Sequence, residues 1–166
     1  MASTSGGVMN RKSPGRFMRV FRVVLGLIYF FGSFSHVYFG LTQPGSYRDF
    51  SRWAPPLNAP ARELWFVWFL PRANVLALVI AAFEITVGIL ILRGGSATRL
   101  GLAGALGFHL ALAVMFGMWP YTIPMILLIT WALRYEFRPL LERGSSIAGT
   151  DAMARLTASH SIQRRT

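Results

Sequence analysis

"ANVLALVIAAFEITVGILIL" occupies Ala73–Leu92, twenty residues of which only Glu84 is charged. As an α-helix the stretch measures about 30 Å, the thickness of a bilayer's hydrocarbon core. That reading fixes the class as an all-α membrane protein and poses a problem. A carboxylate at the centre of a bilayer costs roughly 3 kcal/mol on insertion scales, so it faces a partner and not lipid. The rest of the chain has to supply that partner.

Composition agrees with the membrane class. The 166 residues are 54% hydrophobic and 14% charged, with a mean hydropathy of +0.47, too apolar for a soluble domain of this length. The net charge of +11 comes from sixteen arginines and one lysine set against six acids. These basic residues cluster outside the apolar runs, as topology signals do. They neither line a groove nor interleave with exposed aromatics, so no nucleic-acid partner is expected. Cysteine is absent, which removes disulfides, thiolate metal sites and iron–sulfur clusters. Redox work in such a chain falls to a bound quinone, a haem or a His/carboxylate metal site.

Upstream of Ala73, "RFMRVFRVVLGLIYFFGSFSHVYFGL" gives a span over about 17–41. It is too long for a signal-peptide h-region, and no A-x-A site follows it. Downstream, spans are expected over 73–92, 100–118 and 121–138. Residues 42–72 form an extracytoplasmic connection ending in "ELWFVWFLPR", whose tryptophans and phenylalanines suit an aromatic belt at the membrane interface. That segment reads as an interfacial helix or as the tilted start of the second span. Residues 1–15 read as a disordered tail and 139–166 as a polar cytoplasmic tail.

Arg11, Lys12, Arg16, Arg19 and Arg22 flank the first span, Arg93 and Arg99 the second turn, and Arg134, Arg138 and Arg143 the end of the fourth. The third connection has no basic residue. The first has Arg48, Arg52, Arg62 and Arg72, partly offset by Asp49 and Glu63. By the positive-inside rule both termini and the Arg93–Arg99 turn are cytoplasmic. The expected architecture is an antiparallel four-transmembrane-helix bundle over 16–138, multi-pass in a bacterial plasma membrane. Its expected surroundings are the lipid bilayer and a protein partner or a second copy of the chain.

Apart from arginines at their ends, the spans hold three ionisable residues of note: His36, Glu84 and His109. Helical spacing gathers Tyr29, Gly32, Ser33 and Gly40 on the face of His36. Ala77, Ala81 and Gly88 share the stripe of Glu84, and Gly101, Leu102, Ala105 and Leu112 that of His109. Small residues on one face suit close helix packing, so the three groups are expected to turn inward as a His–Glu–His cluster. A buried Glu–His pair can also be purely structural, fixing helix register. As a site, the cluster admits three chemistries. His36 and His109, with Tyr29 beside them, can hold a quinone, a carboxylate shuttling its proton. Two histidines and a carboxylate can ligate a metal, although no ligand spacing supports this. Glu84 can also serve as a neutral proton donor, with a histidine setting its state. In the connection, Tyr47, Phe50 and Trp53 either lid an outer cavity or lie on lipid headgroups, the second being the more ordinary arrangement.

"RVVLGLIYFFGSFSHVYFG" and "FEITVGILILRGGSATRLG" together resemble the DoxX-like membrane proteins. The residues carrying the resemblance are Arg22, Gly26, Gly32, Glu84, Gly88, Gly94 and Arg99, within a match over about Arg22–Leu133. His36 stands where that family often has lysine, and the family's Gly-rich, Ser-Leu-Asp ending is missing, as in a divergent member. The resemblance implies a four-helix membrane bundle and, for some relatives, a subunit role in quinone-linked oxidoreductase systems. The expected function is therefore a small membrane subunit supporting quinone-linked redox chemistry, with Glu84, His109 and His36 as its working groups. The rivals are a non-enzymatic scaffold or assembly factor, and an intramembrane lyase or cyclase with Glu84 as general acid.

Overall fold

The computed structural model describes residues 13–139; the tails expected over 1–15 and 139–166 lie almost wholly outside them. Helix α1 (Arg16–Thr42) begins after Pro14 and Gly15 and stops before Pro44, with no proline inside. Two short helices follow, α2 (Ser46–Trp53) and α3 (Ala59–Glu63), the latter capped by the Asn58 carboxamide accepting from Ala61 N at 2.9 Å. A π-helical stretch (Leu64–Phe69) and a 3₁₀ turn (Leu70–Arg72) lead into α4 (Ala73–Arg93). Pro71 cannot donate to the helix ladder, and Arg72 has left helical geometry at φ −120°, so the helix is interrupted there. Helix α5 (Gly95–Phe116) starts from the left-handed Gly94 and Gly95 and ends at Gly117, φ +60°. Helix α6 runs over Trp119–Ala132.

Three of these segments are long and apolar enough to cross a membrane: α1, the run Ala59–Arg93, and α5. The chain is a multi-pass membrane protein. Helix α6 is apolar but has 14 residues, about 21 Å.

Helices meet through glycine and alanine. A Cβ added at Gly26 would fall 2.7 Å from Leu92, and one at Gly40 would fall 2.8 Å from Ala77, so α1 and α4 run in opposite directions at close approach. Gly101 against Ile91 and Gly104 against Val87 pair α5 with α4 in the same manner. In a bilayer, where apolar burial between helices gains little, such close backbone packing supplies the adhesion. The faces expected to turn inward do so in large part: Tyr29, Ser33, Gly40, Ala77, Ala81, Glu84, Gly88, Gly101, Leu102, Ala105 and His109 are buried, while Gly32, His36 and Leu112 are half-buried.

The end of the described chain departs from expectation. Helix was expected to 138, but it stops at Ala132, where tight turns join Arg134 N to Trp131 O and Tyr135 N to Ala132 O. The chain then tucks beneath the helices. Phe137 is 2% exposed and its carbonyl accepts from Gly95 N at 2.6 Å. Arg22, buried in α1, donates to Arg138 O at 3.0 Å and holds its guanidinium 5.3 Å from the Phe137 ring centre. A continued helix would leave that buried cation without its acceptor, which is a costly arrangement. Phe137→Ala removes the ring from this junction and is expected to cost about 3 kcal/mol, read as a lower unfolding midpoint in detergent.

Candidate functional site

Glu84 sits at the α1–α4 seam, 7% exposed. Its Oε1 lies 3.6 Å from His36 Nε2, longer than a direct hydrogen bond and within ion-pair distance. The other ring nitrogen, Nδ1, is 2.8 Å from the Tyr47 hydroxyl, and the two rings lie nearly parallel with centres 6.0 Å apart. With the phenol donating to Nδ1, the ring proton rests on Nε2 and points at the carboxylate. Tyr47, His36 and Glu84 thus form a chain of three titratable groups from α2, α1 and α4. Burial, with a smaller contribution from the Glu84 carboxylate, pushes the Tyr47 phenol above its ordinary value. Tyr47 therefore keeps its proton and works as a neutral donor.

The remaining expected residues form a second group. His109 Nδ1 lies 2.9 Å from the Ala105 carbonyl and 3.1 Å from the Tyr29 hydroxyl. A carbonyl only accepts, so Nδ1 carries the proton and Nε2 presents a lone pair. That Nε2 and Glu84 Oε2 are both buried without a hydrogen-bond partner among the described residues. Oε2 faces α1 at Gly32, where an added Cβ would stand 3.7 Å away. The structure joins His36 to Glu84 and Tyr29 to His109. Glu84 is within electrostatic reach of the phenols of Tyr29, Tyr47 and Tyr121. No three His, Asp or Glu side chains converge on a metal-sized space among the described residues.

Beside His36 lies a cavity of about 610 Å³, a volume that suits one drug-sized molecule. Its walls come from the end of α1, from α2, from the π-helical stretch and from α4 and α5. Tyr47 and His36, with Ser35, Ser46 and Asp49, form the polar part of the wall, and Phe50, Trp65, Phe69 and Phe116 much of the rest. The aromatic residues interlock: Trp65 stacks on Phe69 at 4.4 Å and meets Phe116 edge-on at 4.9 Å. Tyr47 is 8% exposed, so it is turned into the protein and does not lie on headgroups. The sequence reading placed no residue of the π-helical stretch in the site. The signal available was that six consecutive residues, "LWFVWF", are too apolar on every side for an interfacial helix with one wet face.

No protein-family model, no curated protein and no solved structure matches this chain.

Proposed function

We propose that this protein is a membrane subunit of DoxX-like type that binds a quinone beside His36 and Tyr47 and handles its protons through Glu84. The observation that carries the reading is the Tyr47–His36–Glu84 chain, which leads from an apolar cavity to a buried carboxylate. In this reading α6 completes a four-span antiparallel bundle in the bacterial plasma membrane, with both termini cytoplasmic. The absence of basic residues from the third connection and their clustering at the other end support that orientation.

The residues present fit a quinone. The cavity is apolar where a ring and tail would lie and offers a hydroxyl and an imidazole at one end. A quinone, when bound, takes up electrons and protons together, and the electrons come from a partner subunit. This chain's own groups hold and move the proton. A proton received at the Tyr47 oxygen releases the phenol's own proton to His36 Nδ1, and the imidazole passes its Nε2 proton to Glu84. The reverse sequence delivers a proton to the cavity. Tyr29, within hydrogen-bond distance of His109, lies in electrostatic reach of Glu84.

Native mass spectrometry of the gently purified protein tests the reading. Wild type is expected to release a bound quinone, and Tyr47→Phe and His36→Gln to retain roughly tenfold less, as for the loss of one hydrogen bond. Intact folds with no bound molecule in any form would favour the scaffold reading instead. That reading has one observation of its own: His36–Glu84 joins α1 to α4 across their small-residue seam, as a structural staple would.

A further inference from the structure

The cavity's polar groups are confined to one end. Ser35 and His36 come from the last turns of α1, and Ser46, Tyr47 and Asp49 from α2. Every residue that α4 and α5 contribute is apolar: Leu76 and Ile80 on one side, Phe108, Ala111, Leu112 and Met115 on the other. Part of this apolar end is on the outer surface of the protein. Ala111 is exposed, as are Leu64 and Trp68 at the rim, at 51% and 55%. The outer faces beside them carry exposed Val75, Val79, Leu110 and Val114, a surface that suits lipid chains and not water. Toward the connection the cavity is partly roofed. Tyr47 is buried, and Leu57 N donates to Met115 O at 2.8 Å while the Leu57 side chain packs on Gly117; exposed Ser35 and Asp49 mark the edge that meets water.

Charge narrows the ligand further. Among the described residues Asp49 is the only charged one lining the cavity, and Arg52, which points outward, pairs with it at 3.1 Å. No lysine or arginine among the described residues lines the walls. A phosphate or carboxylate head seated at the buried end, beside His36 and Tyr47, would be desolvated without a lysine or arginine to pair with it, which is costly.

We infer that the cavity is filled sideways from the bilayer, through a slot between α4 and α5, by an uncharged amphiphile whose polar head reaches His36 and whose long tail stays in the slot. The inference rests on the reading above that this cavity is the binding site, and it adds the route and the ligand class. The tail's share of the binding energy comes from Ile80, Phe108 and Ala111, and anionic phospholipids and fatty acids are excluded although they crowd the same surface. A cavity of about 610 Å³ holds a ring and the first part of a chain, so a long tail leaves through the mouth.

Trp65 and Trp68 line the cavity and report its occupant by fluorescence quenching. The purified full chain in uncharged detergent is titrated with a tailless benzoquinone and with the same ring carrying a decyl tail. Wild type is expected to prefer the tailed form at least tenfold. Ala111→Phe, a change at an exposed position, is expected to erase the preference by weakening the tailed ring's binding at least tenfold. Comparing variant with wild type cancels partitioning of the probe into detergent. A preference that survives in Ala111→Phe overturns the slot. If neither ring quenches wild type, the quinone reading falls, and brominated lipids then judge the slot alone. A dibrominated monoacylglycerol that quenches wild type and not Ala111→Phe upholds it. Equal quenching by dibrominated phosphatidylglycerol overturns the uncharged class.

Discussion

Gly88→Leu is expected to leave no correctly folded protein in the membrane. A Cβ at position 88 would stand 2.9 Å from the Gly26 carbonyl oxygen and 3.0 Å from the Phe30 nitrogen. Both obstacles are backbone atoms of α1, so no rotamer change relieves them and the two helices must separate. Overpacking of this kind costs about 3 kcal/mol or more, and here it also parts His36 from Glu84. Two other glycines grade the effect. Gly26→Leu meets the side chain of Leu92, which can rotate, and is expected to reduce yield without abolishing it. Gly107→Leu has nothing within 4 Å of its Cβ and should accumulate like wild type. Gel filtration of fluorescent fusions in mild detergent reads all three. A monodisperse Gly88→Leu peak at wild-type height would show that α1 and α4 do not pack as described.

The second large effect is chemical. Glu84→Gln keeps the shape of the side chain and a polar oxygen toward His36, but it cannot take up a proton. If the proposed quinone role holds, quinone-dependent electron transfer in native membranes falls by about 10²–10⁴, the usual worth of a positioned acid–base group, while the variant folds and still retains ligand. His36→Gln is expected to lower the rate as well and, because His36 lines the cavity, to loosen binding too. An unchanged rate in Glu84→Gln would make the pair a staple between helices.

Much of this arrangement was legible in the sequence, for a physical reason. Helical period alone assigns Glu84, Gly88, Ala81 and Ala77 to one stripe, and a carboxylate in an apolar span has to face protein. On α1 the small residues around His36 mark the face that turns toward it. Tyr47 was not legible in the same way. It belongs to an eight-residue helix in the connection, and only tertiary packing against His36 of α1 and Phe69 of the π-helical stretch turns its ring inward. The aromatic run "LWFVWF" misled for a related reason. When nearly every position is apolar, periodicity loses its direction, and the π-helical winding that brings Trp65 and Phe69 to the cavity leaves no mark in composition. The early stop of α6 was hidden because Arg22, which claims the Arg138 carbonyl, lies 116 residues away.

That last contact sets an order of events during biosynthesis. Arg22 enters the membrane with the first helix, yet its acceptor and the ring that covers it are among the last described residues to be translated. Until residue 138 leaves the ribosome, the nascent chain carries an uncovered cation at the base of its first span. The Gly95 amide waits for the same segment. A chain truncated before that point lacks both the acceptor for Arg22 and the ring that covers it, so closure of the base is the last of these contacts to form.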